Sequence, residues 1–255
     1  MKRHITGLVW SGLVWSGLVL VLAPAPAPDL APVLAPVWAR RSLRVPTPPP
    51  YACPVATRTP TRRLVLASAS PARLRLLRDA GFDPEVIVSG FDEDAVEAGD
   101  TPALVVALAE HKARAVAPQA GDALVIGCDS LLELDGIRRG KPSSDGEATN
   151  WLRAARGRTG TLFTGHCVID TAAGREVSDV AATTVRFGHA TDDELTAYVA
   201  TGEARQVAGA FTLDGRSAPF MDGIDGDPGT VIGLSLPLFR VLLGRLDVAV
   251  TDLWA

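Results

Sequence analysis

The chain has 255 residues, of which 47% are hydrophobic and 21% are charged. That length is enough to bury one substantial core, or two small lobes around a cleft. Its formal net charge of -4 excludes a global basic field that would hold nucleic acid nonspecifically, but it is compatible with a local positive site for a small anion. The three cysteines, Cys53, Cys128 and Cys167, form no CxxC pair, which favours buried, reduced thiols.

Residues 1–60 differ in composition from the rest and are predicted to be a low-complexity leader. They begin with near-copies of a short Gly-Leu-Val unit and continue as an Ala- and Pro-rich stretch that cannot sustain a helix. Three interpretations stay open: a signal peptide, a weak membrane anchor, or an upstream extension outside the fold. The tandem copies favour the extension, and residues 61–255 are predicted to be the folded domain.

Alternating strand and helix signals in residues 61–255 predict an α/β domain with a mixed, twisted sheet. Asp135-Gly136 is a strong hairpin signal. The second predicted helix has Leu104, Val105, Leu108 and Ala115 along its expected buried side. The predicted strands are 64–67, 84–88, 123–128, 131–134, 137–139, 161–170 and 176–187, and the predicted helices begin at residues 71, 101, 144, 191 and 237.

The segment 68–73 joins the first predicted strand to the first predicted helix. Ser70 is a good N-cap and the proline after it suits the first helical position. A helix N-terminus presents free backbone N–H groups, Ser68 and Ser70 carry hydroxyls, and the planar cation of Arg73 suits phosphate oxygens. The segment is therefore a candidate phosphate site, although ordinary helix capping alone would explain it equally well.

Carboxylates in two places are candidate metal ligands or acid–base groups. Glu93 lies in the acidic run 92–94, which can supply the oxygen ligands that Mg²⁺ prefers or can simply be a solvated loop. Asp129 is expected at the end of an apolar strand, where ligands of α/β sheets tend to bind, and can hold a metal or accept a proton.

Two lysines are further candidates for binding phosphate. Lys141 lies between Gly140 and Pro142 in a predicted turn, and Lys112 lies on the second predicted helix. Either can reach a phosphate, although most lysines only solvate a surface. His166, within an apolar strand, is interpreted as a satisfied core or cleft-edge histidine and not as a ligand.

Taken in order, these motifs resemble the Maf family of nucleotide pyrophosphatases, also called septum-formation proteins. The resemblance spans residues 63–246 and depends on an ordered set of motifs, each of them weak alone. Its parts are Ser-Ala-Ser-Pro-x-Arg at 68–73, Asp92-Glu93, Leu-Ala-x-x-Lys-Ala at 108–113, Gly-Cys-Asp-Ser at 127–130, Gly-Lys-Pro at 140–142, Thr164-Gly165 and Ala-Gly-Ala-Phe at 208–211.

The resemblance implies an elongated α/β fold with two lobes, a central cleft, and cleavage between the α- and β-phosphates of a nucleoside triphosphate. It implies that Asp129 is the catalytic acid or base and, with Glu93, holds Mg²⁺ or another divalent cation such as Mn²⁺. It further suggests a homodimer. Because a nucleotide pyrophosphatase needs cytoplasmic triphosphates, we expect a cytoplasmic protein, and we expect no nucleic-acid or membrane partner. By the same resemblance the phosphates are held by Ser68, Ser70, Arg73, Lys112 and Lys141.

Three departures from the dTTP/UTP-specific members of that family concern base selection. Ala72 stands where those members usually have Arg, Ser130 where they have Thr, and Asp214 where they have Gln. An acceptor-only Asp reads a different base edge from Gln, which both donates and accepts. The sequence therefore predicts a different or broader set of nucleotides, including modified bases.

Other functions remain open at this point. One alternative is a nucleotide-binding regulator of septum formation with little turnover, and another is a house-cleaning purine triphosphatase. The Asp129, Glu93 and Lys141 set favours the enzyme, because a pure binder would not need a full acid–cation set.

Overall fold

A computed structural model describes residues 62–91, residue 96 and residues 99–255 of the chain. The predicted leader, residues 1–60, and the acidic run with Glu93 both lie outside the described residues. The division between leader and domain stays a prediction.

The described residues form seven strands, most of which were predicted. The hairpin turn at Asp135-Gly136 is confirmed, with both residues at positive φ. The segment that holds the last strand was not predicted, because its glycines obscure the alternation. The strands are β1 (Leu64–Leu66), β2 (Glu85–Val86), β3 (Leu124–Leu134), β4 (Ile137–Arg139), β5 (Thr159–Asp170), β6 (Arg175–Phe187) and β7 (Met221–Asp225).

Six α-helices pack against this sheet in the described part, and five of them were predicted. Ser70 caps the first helix as predicted, accepting a hydrogen bond from the Arg73 backbone N–H. None of the described helices is both long and apolar enough to cross a bilayer. The helices are α1 (Pro71–Asp79), α2 (Thr101–Ala120), α3 (Asp145–Ala155), α4 (Asp192–Val199), α5 (Pro228–Ile232), which was missed, and α6 (Leu236–Arg245).

The sheet is mixed, with strand order β2-β1-β3-β5-β6-β7 and β4 paired to β3. β1 is parallel to both β2 and β3, whereas β3, β5, β6 and β7 pair antiparallel in succession. The predicted α/β class with a mixed sheet is confirmed.

The prediction that β3 ends at residue 128 is wrong. β3 runs on to Leu134 because β5 pairs with it continuously, and Asp129 lies in its interior opposite Gly165. On the other side of β3, pairing with β1 stops at Ile126 and pairing with β4 starts at Leu132. Residues 127–131 thus have β5 as their only strand partner among the described residues.

The two faces of β3 belong to different parts of the core. One face packs under α2, in a cluster that includes Val65, Ala113 and Val125. The opposite face packs under α1 and α6, with Ile126 and Phe239. A third cluster, near α3 and α4, lies at the other end of the long strands. The expected division into two lobes around a cleft stays a prediction.

The buried side of α2 differs from the prediction. Val105 and Leu108 are buried, but Leu104 and Ala115 are only half-buried. The helix instead turns its small residues and Lys112 toward the sheet. Small side chains allow close helix–sheet approach, and this contact outweighs the burial of the larger Leu104.

Candidate active site

Two glycines inside strands let α2 lie unusually close to the sheet. A Cβ on Gly165 would lie 2.1 Å from the Val105 carbonyl oxygen, and a Cβ on Gly127 would lie 2.3 Å from the Ala109 carbonyl oxygen. Neither distance is possible for a real side chain, so any larger residue would push the helix away. The glycines thereby set the distance between α2 and the part of β3 that carries Asp129.

At this close approach Lys112 of α2 meets Asp129 of β3. The Lys112 Nζ atom donates to Asp129 Oδ1 across 2.6 Å. The two residues are only 8% and 6% exposed. Two predicted site residues therefore form a buried, charge-assisted contact that fixes the position of the carboxylate.

Arg73 of α1 is also buried, with 9% exposure, but its partners are of a different kind. Its Nε donates to the Gly233 carbonyl oxygen over 2.7 Å, one terminal nitrogen to Ser68 Oγ over 3.1 Å, and the other to Ser130 Oγ over 3.0 Å. All three acceptors are neutral, and Arg73 has no acidic partner among the described residues. A buried guanidinium without a counter-charge favours an anionic ligand.

The predicted site residues fall into two groups on opposite faces of β3. Successive side chains of a strand point to opposite faces, so Asp129 faces α2 whereas Ser130 faces α1 and α5. The charges of both cations nevertheless act on the Cys128 thiol, which lies on the same face of β3 as Ser130. Burial raises the pKa of Cys128 to about 12, and the charges of Arg73 and Lys112 oppose that rise. The two groups therefore flank one short stretch of β3, where β1 has ended.

His166 is confirmed as a satisfied core residue. Its Nε2 accepts from the Ser235 backbone N–H over 2.8 Å, which leaves Nδ1 to donate to the Thr164 carbonyl oxygen over 3.0 Å. Burial, with a contribution from the Arg73 charge, lowers the pKa of His166 from 6.5 to about 4. The ring is thus neutral at neutral pH. Cys128 and Cys167 are likewise confirmed as free, buried thiols.

The structure does not bring every predicted residue into these two groups. Lys141 is exposed in the turn after β4, and no hydrogen bond or ion pair of the described residues joins it to Asp129 or Arg73. The adjacent Gly140 carbonyl accepts from the Gly209 N–H over 2.8 Å, which ties this turn to the segment before Asp214.

Two of the predicted base-selecting positions, Ala72 and Asp214, lie near α1. Ala72 is half-buried on the helix. The Asp214 carboxylate forms an ion pair with Arg75, one turn after Ala72, and accepts from the Thr212 hydroxyl. Arg75 was not predicted as a site residue.

The predicted divalent-metal site can be judged only from one of its two carboxylates. Asp129 is described and Glu93 is not, and the described residues contain no cluster of three or more His, Cys, Asp or Glu that could hold a metal. Mg²⁺ commonly binds through one or two carboxylates together with substrate phosphates. Asp129 fits that minimum requirement.

Several residues of the site were assigned no role from the sequence, although Thr164-Gly165 is among the motifs of the resemblance. Thr164, Thr230 and Gly233 contact the Arg73–Ser130 group, and Gly165 holds α2 close to Asp129. A glycine in the interior of a strand is a signal for close backbone approach, and Gly165 carries that signal. The positions of Thr230 and Gly233 depend on α5, which has too little periodicity to be found from the sequence.

Comparison with known proteins places this geometry in a family. A family model described as Maf-like protein matches residues 63–246, from β1 to the end of α6. The chain belongs to the Maf family. The matched range contains every candidate residue discussed above, and it agrees with the range of the sequence resemblance.

Curated relatives of this Maf protein share most of its length. A Streptomyces coelicolor protein is 65% identical over 201 residues, which is 78% of this chain and 98% of the relative. A Streptomyces avermitilis protein is 63% identical over 78% of this chain and 97% of the relative, and a Mycobacterium sp. (strain JLS) protein is 51% identical over 76% and 99%. Each of the three is named nucleoside triphosphate pyrophosphatase.

Proposed function

We propose that this Maf protein is a nucleoside triphosphate pyrophosphatase, which hydrolyses a nucleotide to its monophosphate and pyrophosphate. The observation that carries the proposal is buried Arg73, whose hydrogen-bond partners are all neutral and which lies at the start of α1, across β3 from Asp129. The names of the relatives, at up to 65% identity, support the same reaction.

Arg73 and the start of α1 are suited to hold the phosphates. The guanidinium is a buried, pre-positioned fork, and its charge is available to phosphate oxygens because no carboxylate neutralises it. The first turn of α1 adds a positive dipole end. Ser68 places its hydroxyl on Arg73 and so helps to orient the fork.

Asp129 is suited to the proton transfer. A water oxygen attacks phosphorus at the α–β anhydride, the bridging P–O bond breaks, and pyrophosphate leaves with the bond's electron pair. Asp129 accepts the proton that the water loses, and Lys112 holds the carboxylate in place for that step. Lys141, although exposed, is free to approach the leaving phosphates from the turn after β4.

A divalent cation, Mg²⁺ or Mn²⁺, is part of the proposal. Asp129 would hold it, together with Glu93 as the sequence predicts, and it would neutralise charge on the phosphate oxygens. Because the protein would supply only these two carboxylates, the nucleotide phosphates and water would bring most of the metal's oxygen ligands.

We further propose that the base preference differs from dTTP and UTP and extends to modified bases. Asp214 offers only acceptors, and its contacts with Arg75 and Thr212 hold the carboxylate in one orientation. Ala72 removes the cation that dTTP/UTP-specific members carry one turn earlier on α1. A clear dTTP/UTP preference would contradict this part of the proposal and leave the reaction class intact.

The same proposal places the enzyme in the cytoplasm, where nucleoside triphosphates are found, as a homodimer. Fractionation of cells that express a C-terminally tagged chain tests the compartment, and release outside the cell would contradict it. Light scattering of the purified chain tests the dimer, and a mass near 26.7 kDa, that of one chain, would contradict it.

The deciding experiment measures pyrophosphate release from a panel of canonical and modified nucleoside triphosphates, with and without Mg²⁺. We expect metal-dependent release of pyrophosphate and monophosphate, lowered about a thousandfold in Asp129→Asn because a positioned acid–base group is lost. Asp122→Asn is a matched control at an exposed site and should keep full activity. Nucleotide binding without any turnover by the folded protein would reject the enzyme in favour of a regulatory binder.

A further inference from the structure

Arg73 is held in part by hydroxyl groups that follow one another across two strands. Ser130 Oγ of β3 lies 3.0 Å from an Arg73 nitrogen and 2.9 Å from Thr164 Oγ1 of β5. Thr164 Oγ1 in turn lies 2.8 Å from the Thr230 carbonyl oxygen of α5. Ser130 and Thr164 are directly paired in the β3–β5 register, so both hydroxyls lie on the same face of the sheet.

The chemistry of the two ends fixes the direction of every hydrogen bond in this series. A guanidinium can only donate, so Ser130 accepts from Arg73. A carbonyl oxygen can only accept, so Thr164 uses its single hydrogen on Thr230. Thr164 therefore has to accept from Ser130, and the Ser130 hydrogen is used as well. We call these two residues the Ser130–Thr164 relay.

Burial makes the relay rigid. Thr164 and Thr230 are fully buried, so water does not compete for their hydrogen bonds. The Thr230 carbonyl lies in the last turn of α5, where carbonyls lack a helical partner, and Thr164 supplies the missing donor. Arg73 also donates directly to the Gly233 carbonyl just after the same helix. One short helix thus anchors Arg73 both directly and through the relay.

We propose that Thr164 is a positioning residue for phosphate binding, which acts through Ser130 to orient the guanidinium of Arg73. The role of Arg73 toward phosphate rests on the function proposed above, whereas the relay itself is a property of the folded protein. Ser130 has no hydrogen left to donate, so toward a nucleotide it can only accept. Its first task is therefore to orient Arg73, in addition to any contact with the base.

The relay can be tested without turnover, by hydrogen exchange of the terminal Arg73 N–H group that donates to Ser130, measured by NMR in the full chain. Loss of the signal in Arg73→Lys assigns it. Thr164→Val keeps the shape of the side chain but removes the hydroxyl, and we expect it to speed exchange about tenfold. Thr164→Ser restores the hydroxyl and should return the exchange rate to within about twofold of wild type. Thr196→Val is the matched control, because that exposed hydroxyl also donates to a backbone carbonyl, far from Arg73.

Ser130→Ala is a second variant, which breaks the relay in the middle and leaves the Thr164–Thr230 bond intact. It keeps the test decisive if Thr164→Val does not fold, and it should also speed exchange about tenfold. Exchange at the wild-type rate in either folded variant would overturn the relay.

Kinetics of the same variants separate the relay from the proposed function. In an active wild type we expect Thr164→Val to raise KM for the nucleotide about tenfold with a smaller change in kcat, and Thr164→Ser to restore KM. If Thr164→Val speeds exchange but the wild-type protein releases no pyrophosphate, the proposed function is rejected and the relay stands. If the wild-type protein is active but Thr164→Val changes neither the exchange rate nor KM, the relay is rejected and the proposed function stands.

Discussion

The two faces of β3 hold their cations in contrasting ways. Under α2, Lys112 contacts the carboxylate of Asp129 directly, so charge is matched by charge inside the protein. On the opposite face, Arg73 is held by two hydroxyls and a backbone carbonyl, and its charge has no counter-charge in the described part of the chain. Neutral acceptors orient a cation and leave its positive charge in place. A carboxylate orients the cation and also neutralises that charge. We therefore expect Arg73 to bind phosphate and Lys112 to hold Asp129 in position.

The α2 face depends on a glycine, and removing it should have the largest effect. We expect Gly165→Ala to lower the free energy of unfolding by about 3 kcal/mol, because the added Cβ would clash with the Val105 backbone and push α2 off β5. Denaturant unfolding measures the change. Gly244→Ala in α6, where a Cβ meets no atom within 4 Å, is the control and should not destabilise. Equal stabilities of the two variants would contradict the close helix–sheet packing.

The opposite face should be sensitive to acid through His166. Folding lowers the pKa of His166 from 6.5 to about 4, so between those values the unfolded chain binds a proton that the folded chain does not. Stability is therefore complete above the unfolded pKa and is lost as the pH falls toward the folded pKa. The expected loss is about 2 kcal/mol at pH 5, measured by denaturant unfolding against pH.

His166→Gln is the control for this pH dependence. Glutamine keeps one donor and one acceptor but does not titrate, so the loss between pH 7 and pH 5 should shrink by most of that amount. The same slope in wild type and variant would show that His166 is not the group responsible.

The planar geometry of the Arg73 guanidinium, in addition to its charge, should contribute to nucleotide binding. Arg73→Lys keeps the positive charge but cannot make three contacts in one plane, so we expect kcat/KM to fall about tenfold, chiefly through KM. Arg78→Lys, an exposed change on the same helix, should leave kcat/KM unaltered. An unchanged KM in Arg73→Lys would mean that charge alone suffices at this position.

The smallest expected effect concerns the Arg75–Asp214 ion pair outside the two groups. Because Arg75 is exposed, Arg75→Gln should change stability by less than about 1 kcal/mol. It should free the Asp214 carboxylate to reorient and so change the ratio of kcat/KM values between nucleotides about threefold, with Arg78→Gln as the control. Identical ratios in wild type and Arg75→Gln would separate Asp214 from base selection.

Local signals were sufficient for most of the elements. Ser70-Pro71 predicted the start of α1, and Asp135-Gly136 predicted the β3–β4 turn, because capping and turn chemistry act within a few residues. The same signals failed where distant pairing decides the outcome. β3 continues through Asp129 because β5 pairs with it, and β7 and α5 form in a glycine-rich segment without clear periodicity.

The candidate site was predicted as a set of residues but not as an arrangement. The sequence predicted four of the site residues, which are Asp129, Lys112, Arg73 and Ser68. It did not predict that Lys112 and Asp129 lie on one face of β3 and Arg73 and Ser68 on the other. Lys112 in particular looks like a surface lysine, and only the glycine-mediated approach of α2 turns it toward Asp129.

By itself the sequence determined the α/β class, the family and the identity of the chemical groups, because caps, turns, periodicity and ordered motifs are local properties of a chain. The tertiary structure alone decided which of those groups meet. Contacts such as Lys112 to Asp129 or Arg73 to Gly233 depend on strand register and on how closely a helix can approach a sheet. Those quantities are set by the packing of the whole domain, which no short segment encodes.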